Sequence, residues 1–152
     1  MTNVMDRRDV LGAASLAVAA SVLGGGETEA QPAGGNMTVH ILDLYSGTPA
    51  AGVKVDLFMK KGEQMTPVKS VTTDADGRPE SGPLLAGDAF SAGRYMISFD
   101  LSDYFKAADK TLPANFFRKV SMEFEVTDAN MPYHIPLQCT PWTQACSVLP
   151  GD

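Results

Sequence analysis

Turn-forming residues divide most of this chain into short runs of apolar and β-branched residues, each about the length of one β-strand. No long segment repeats its apolar residues every 3.6 positions, as an extended amphipathic helix would. Turn signals rich in Gly, Pro, Asn and Asp separate the runs at 46–49, 74–77, 81–83 and 128–130. Many short strands at this spacing predict an all-β fold, an antiparallel β-sandwich. The runs expected to form strands are 37–44, 53–60, 68–73, 93–100, 117–126, 133–139 and a last run near 144–148.

One short helix is expected among these strands. The run 104–108 has helical residue types, and Ser102 or Asp103 is placed to cap its first turn. The sequence shows no internal repeat. The fold is therefore expected to be one β-sandwich with a single short helix.

The first 30 residues have the layout of an export signal. Arg7 and Arg8 precede a mild apolar run over 10–23, which is shorter than the ~20 residues that a membrane span needs. Thr28-Glu29-Ala30 follows as a small-x-small cleavage pattern. The paired arginine predicts the twin-arginine route, cleavage near Ala30 and a periplasmic location. A disordered tail and a buried N-terminal helix are the alternatives.

The expected organisation is an export signal over 1–30, a Pro/Gly-rich linker over 31–36 and one domain over 37–152. Removing the signal takes two arginines and four acidic residues from the chain's 12 basic and 18 acidic residues. The remaining 10 basic and 14 acidic residues give a net charge of −4. A mildly acidic domain without a basic stripe is a poor candidate for binding nucleic acid. After cleavage no apolar segment is long enough to span a membrane.

Cys139 and Cys146 are the only cysteines. Export would permit a disulfide between them, and small core residues are the alternative. The pair has neither CxxC spacing nor a nearby histidine cluster, so no metal site is expected.

The chain has two histidines, and both fall at regular positions of expected strands. Because side chains alternate along a strand, apolar residues at every second position should face the core and the intervening residues should face outwards. The residues expected in the core are Val39, Ile41, Ile135, Leu137 and Cys139. The residues expected on the outer face are Thr38, His40, Leu42, His134, Pro136 and Gln138. An outer face that mixes apolar groups with histidine is a candidate for a subunit interface or a ligand groove.

The polar groups that could carry chemistry are His40, His134, Arg78 and the hydroxyls of the C-terminal segment. Histidine is the side chain best suited to proton transfer near neutral pH, and an arginine at a loop tip can bind a planar anionic or carbonyl-bearing ligand. A structural histidine and a solvated surface arginine are the alternatives. The sequence has no G-x-S-x-G nucleophile elbow, phosphate loop or dinucleotide-binding glycine pattern. From the residues alone, we expect an exported β-sandwich with a histidine-lined groove and no more specific function.

Three motifs resemble those of the transthyretin-like family, whose enzymatic branch is the 5-hydroxyisourate hydrolases. The motifs are His40-Ile-Leu-Asp43 with Gly47-x-Pro49-Ala50 and Val53-x-Val55; Asp76-Gly77-Arg78; and Tyr133-His134-Ile135-Pro136-Leu137 with Pro141-Trp142. The resemblance covers residues 37–142. The hormone-carrier branch has lysine at position 40, glutamate at 78 and threonine at 134. This chain has the enzyme-type residue at all three, which favours the hydrolase branch.

The resemblance implies a homotetramer of eight-stranded, transthyretin-like sandwiches whose active sites lie at the interface between dimers. It also implies hydrolytic opening of a ring amide in 5-hydroxyisourate, without metal or cofactor. His40, Arg78 and His134 would be catalytic, and Arg78, Gln138 and Ser147 would bind substrate. Either histidine could be the base that deprotonates water.

The tail departs from the hydrolase pattern. Ser147-Val148-Leu149-Pro150 stands where the hydrolases usually have Tyr-Arg-Gly-Ser, and Pro132 replaces a usual histidine. The usual Leu-Leu-Leu-Ser reads Leu137-Gln138-Cys139-Thr140. The family register also places the two cysteines diagonally, which disfavours a disulfide. A small-molecule binding module without catalysis is therefore the main alternative function, and a structural sandwich is a further one.

Overall fold

The computed structural model describes residues 34–109, 111 and 118–151. The expected export signal over 1–30 and the first residues of the linker lie outside the described residues. The same holds for Phe117, where the fifth expected strand begins. Among the described residues, no helix is long and apolar enough to cross a membrane.

The described residues form ten strand segments, one α-helix and a short 3-10 turn. The strands make two sheets, one in the order β10-β8-β1-β2 with β5 against β1 and β9 against β8, the other in the order β4-β3-β6-β7. The all-β sandwich with one short helix is therefore confirmed. The elements are β1 (Asn36–Asp43), β2 (Thr48–Pro49), β3 (Lys54–Lys61), β4 (Gln64–Thr72), β5 (Leu85–Ala86), β6 (Gly93–Asp100), α1 (Ser102–Ala108), β7 (Lys119–Val126), β8 (Tyr133–Cys139), β9 (Gln144–Cys146) and β10 (Leu149–Pro150).

Strands β1 and β8 pair in parallel, whereas the sequence predicted an antiparallel sandwich. Antiparallel neighbours are usually joined by a tight hairpin, whereas parallel neighbours need a long crossover connection. Here the connection is the chain from β2 to β7, which includes the whole second sheet. Among the described strand pairs, the pair that carries the histidines is therefore the one whose partners lie farthest apart in the sequence.

Strand β4 starts at Gln64, earlier than the expected position 68. The added residues 64–67 include Pro67, which has no backbone N–H to donate to a neighbouring strand. The structure accommodates this proline on an edge strand, beside a register irregularity between Leu57 and Phe58. An edge strand can leave a missing N–H unpaired, which explains why proline is tolerated there.

The expected helix cap is wrong. Helix α1 begins at Ser102, and the capping position is Leu101, whose side chain makes no capping hydrogen bond. Instead the carboxylate of Asp100 accepts hydrogen bonds from the backbone N–H of Ser102 at 3.2 Å and from its hydroxyl at 2.8 Å. A carboxylate two residues upstream therefore satisfies one of the backbone N–H groups that lack an intrahelical partner at the start of the helix.

The expected division between core and outer face is confirmed. Val39, Ile41, Ile135, Leu137 and Cys139 have no exposed surface. His40 and His134 are only partly buried on the opposite face of the same strands. The six-stranded sheet therefore presents both histidines on its outer surface.

The two cysteines are both free. Cys146 lies opposite Leu137 and Cys139 lies opposite Gln144, so the two thiols are diagonal neighbours, as the family register implied. Desolvation raises the pKa of Cys139 to about 12 and that of Cys146 to about 11. Both thiols are therefore un-ionised; Cys139 lies in the core and the partly buried Cys146 packs against it.

Candidate active site

The parallel register of β1 and β8 brings the two histidines together. Thr38 lies opposite His134, and His40 lies opposite Pro136, so the histidines are diagonal neighbours on the outer face. Their ring centroids are 6.5 Å apart, with the ring planes inclined by 43°. This spacing leaves both rings able to contact one small molecule placed over the sheet.

Thr38 contacts the ring of His134, which the sequence reasoning did not anticipate. The Thr38 hydroxyl lies 2.8 Å from Nδ1 of His134 and 3.5 Å from the carbonyl oxygen of Tyr133. The alternation pattern placed Thr38 on the correct face. Its contact with His134 depends on the register between strands that are 96 residues apart, which no local pattern specifies.

The turn that carries Arg78 is held against β1. The backbone N–H of Ile41 donates to the carbonyl of Gly77 at 2.9 Å. Within the turn, the Asp74 carboxylate accepts hydrogen bonds from the N–H groups of Asp76 at 2.9 Å and of Arg78 at 3.1 Å. Local side-chain bonds of this type stabilise tight turns and explain the Asp-x-Asp-Gly sequence. The turn therefore holds the exposed Arg78 close enough to His40 for its positive charge to act on that ring.

Gly77 allows this close approach. Its φ is +70°, and a Cβ at this position would lie 2.3 Å from the carbonyl oxygen of Ile41. Only glycine adopts this backbone region without strain and leaves room for the β1 backbone. The position of Arg78 thus depends on the residue that precedes it.

The surroundings of His40 lower its pKa below the ordinary 6.5. Partial desolvation is the largest cause, and the positive charge of Arg78 acts in the same direction. A hydrogen bond to the Asp76 backbone and the carboxylates of Asp76 and Asp74 oppose this shift. These surroundings therefore favour the neutral form of the His40 ring, and the positive charge of Arg78 contributes to this preference.

The C-terminal segment runs antiparallel along β8, beside the histidines. Ser147 N–H donates to the carbonyl of Pro136 at 3.2 Å, and Leu149 pairs with His134. Gln138 is exposed on the same outer face and pairs with Ala145. The structure therefore places Gln138 and Ser147 on the histidine face, as expected.

Leu149 is a further residue at the site. It is 49% exposed and lies directly opposite His134 in the antiparallel pair. Directly opposite residues share a face, so an apolar side chain borders the histidine on the side away from β1. In the sequence Leu149 is only part of an unusual tail, and the pairing of β10 with β8 places it next to His134.

Among the residues that the structure describes, no three His, Cys, Asp or Glu side chains are grouped so as to hold a metal ion. The polar groups of the site are two histidine rings, one arginine, the hydroxyls of Thr38 and Ser147 and the amide of Gln138. These groups can move protons, bind carbonyl or anionic oxygens and orient a water molecule.

Known structures identify the fold. The sandwich matches transthyretin from Sparus aurata with a TM-score of 0.68 and 24% identity, over 77% of this chain and 98% of that one. It also matches a structure of (S)-allantoin synthase with a TM-score of 0.69 and 31% identity, over 79% of this chain and 44% of that one. This chain thus spans less than half of the (S)-allantoin synthase chain. The protein has a transthyretin-like β-sandwich with a histidine and arginine site on its outer face.

Sequence comparison identifies the family. The model of the HIUase/Transthyretin family matches residues 37–146. A relative from Ralstonia nicotianae, named 5-hydroxyisourate hydrolase, is 41% identical over 110 residues, which are 72% of this chain and 93% of the relative. The chain belongs to the HIUase/Transthyretin family.

Proposed function

We propose that this protein is a 5-hydroxyisourate hydrolase, which opens a ring amide bond of its substrate in urate degradation. The observation that carries the proposal is the pair of histidine rings 6.5 Å apart on one sheet face, with Arg78 beside one of them. This pair stands in a chain that is 41% identical to a protein of that name. Hydrolysis is favoured over hormone-type binding because the two histidines can transfer protons and Arg78 can stabilise negative charge on an attacked carbonyl.

The reaction adds water across an amide bond. One neutral histidine takes a proton from the attacking water while the water oxygen bonds to the carbonyl carbon. Arg78 binds the substrate oxygens and stabilises the negative charge that develops on the attacked carbonyl. The proton then passes to the ring nitrogen as the carbon–nitrogen bond breaks, which leaves the histidine neutral again. Gln138 and Ser147 are placed to donate or accept hydrogen bonds at the edge of the substrate.

The decisive test follows the ultraviolet decay of freshly generated 5-hydroxyisourate in the presence of the purified protein. We expect acceleration by the parent protein and a loss of at least ~10²-fold for His40→Ala, Arg78→Ala and His134→Ala, each with the fold intact. Arg94→Ala is a matched control, because Arg94 is an exposed arginine on the other sheet. Near-normal turnover in two of the three site variants would refute the proposed site.

A binding module without catalysis is the second candidate. The observation that favours it is the tail at Ser147 to Pro150, which has neither the tyrosine nor the arginine usual in the hydrolases. In that case a small planar ligand would raise the melting temperature without product formation. Detection of product would exclude this candidate.

We also propose a homotetramer in which the histidine face lies between subunits. Partly buried Leu42 and Pro136 and exposed Leu149 surround the histidines, and a partner subunit would cover this mixed apolar face. Light scattering coupled to size exclusion should give four times the chain mass. A monomer at micromolar concentration would contradict the assembly.

Export through the twin-arginine route remains a proposal from the sequence. We expect a mature N-terminus near Gln31 and a periplasmic protein. Mass spectrometry of the protein purified from its native cells tests this, with an Arg7→Lys, Arg8→Lys double variant as the control that should retain the signal. An intact Met1 form of the parent protein in the cytosol would contradict export.

A further inference from the structure

Thr38 connects the ring of His134 to the backbone of β8. Its hydroxyl lies 2.8 Å from Nδ1 of His134 and 3.5 Å from the carbonyl oxygen of Tyr133. A carbonyl oxygen can only accept, and a threonine hydroxyl has a single proton to donate. Both contacts are hydrogen bonds only when Thr38 donates to Tyr133 and accepts from an N–H at Nδ1.

We propose that Thr38 is a positioning residue, which keeps the proton of neutral His134 on Nδ1 and makes its Nε2 the atom that deprotonates the attacking water. The proposal deepens the proposed function and, for its catalytic part, rests on it. It assigns the two histidines different roles, which the sequence left open.

The charges around the two rings support this division. The positive charge of Arg78 acts on His40 and disfavours a second positive charge there. The hydrogen bond from Nδ1–H of His134 to Thr38 becomes stronger when the ring is charged. The ring that gains a proton during the reaction should therefore be His134. His40, as a neutral ring beside Arg78, is suited to bind and orient the substrate.

The reaction returns His134 to its starting protonation state. The water proton moves to Nε2 of His134 as the water oxygen bonds to the carbonyl carbon, so the ring becomes a cation with protons on both nitrogens. Nε2 then gives its proton to the leaving ring nitrogen as the carbon–nitrogen bond breaks. The products are a carboxylic acid and an amine, and Nδ1 keeps its proton throughout.

Two substitutions separate this role from packing. Thr38→Val keeps the branched shape and the strand preference of threonine but removes the hydroxyl. Thr38→Ser keeps the hydroxyl and removes a methyl group. Thr72→Val, on the exposed edge strand β4, is the matched control for loss of a strand threonine hydroxyl away from the site.

The first measurement is independent of substrate. The chain has only two histidines, so ¹⁵N NMR of the full protein resolves each imidazole, and His40→Gln identifies the His134 signals. At a pH where the rings are neutral, we expect the proton of His134 on Nδ1 in the parent protein and in Thr38→Ser. In Thr38→Val the proton should move to Nε2. A parent protein with the proton on Nε2, or a Thr38→Val protein that keeps it on Nδ1, would overturn the proposal.

The second measurement is the hydrolysis of 5-hydroxyisourate. Thr38→Val should lower kcat by about 10-fold to 100-fold with little change in KM, because the base is mispositioned while substrate contacts remain. Thr38→Ser should restore most of the rate, and Thr72→Val should behave as the parent. An unchanged kcat in Thr38→Val would overturn the catalytic part. If the parent protein does not hydrolyse the substrate, the proposed function fails, and the NMR result still decides the role of Thr38 at His134.

Discussion

Gly77→Ala is the substitution that best tests how the site is assembled. The new Cβ would lie 2.3 Å from the carbonyl oxygen of Ile41, so the turn must move away from β1 by about 1 Å to reach ordinary contact distance. This movement breaks the 2.9 Å hydrogen bond from Ile41 N–H to the Gly77 carbonyl. It also displaces Arg78, the next residue, relative to His40.

The expected loss of stability has two parts. An alanine with φ near +70° costs about 1–2 kcal/mol, partly offset by about 0.4–1 kcal/mol from the less flexible unfolded chain. The lost hydrogen bond and the displaced backbone add about 1–3 kcal/mol. Gly82→Ala is the matched control. Gly82 has a φ of +83° with no atom within 4 Å of the new Cβ, so only the first part applies.

Urea denaturation of both variants at one protein concentration gives the difference directly. We expect Gly77→Ala to be about 1–3 kcal/mol less stable than Gly82→Ala. Hydrolysis should fall by up to ~10²-fold in Gly77→Ala, as a 1 Å displacement of a binding group can cause, and should be unchanged in Gly82→Ala. Equal stability and equal activity of the two variants would refute the argument that contact between this turn and β1 positions Arg78.

Two further predictions concern charge and thiol chemistry. Arg78→Gln should raise the pKa of His40, because the positive charge that helps to lower it is removed, whereas Arg94→Gln should leave it unchanged; an NMR titration of the histidine signals measures both. A His40 pKa that falls or stays constant in Arg78→Gln would contradict this electrostatic interaction. Cys139 and Cys146, with pKa values raised to about 12 and about 11, should resist alkylation at pH 8 in the folded protein and react after denaturation; rapid labelling of the folded protein would contradict their burial.

The family motifs were readable because they are short and local. Asp76-Gly77-Arg78 and His40-Ile-Leu-Asp43 are continuous in the chain, and each requires particular residue types for a turn or a strand. The family they indicated is the family to which the chain belongs. The prediction of the helix cap was wrong because a cap depends on folded geometry and not on a local motif. Several polar residues near the start of α1 could serve, and only the folded geometry selects Asp100.

The sequence by itself determined the class of fold and the face on which each strand residue lies. This follows because the two-residue period of a strand is a local property, and it separated Ile41 and Ile135 in the core from His40 and His134 outside. Composition and motifs also determined the ionisable groups that are available for chemistry.

Only the tertiary structure decided how these groups meet. The parallel register of β1 with β8 places Thr38 against His134 across 96 residues of sequence, and the contact between Gly77 and Ile41 places Arg78 beside His40. Pairing register and loop packing are set by the burial of the whole core and by which backbone groups find partners, so they are properties of the complete fold. A shift of one residue in that pairing would turn the β8 residues to the opposite face, and the site would not form.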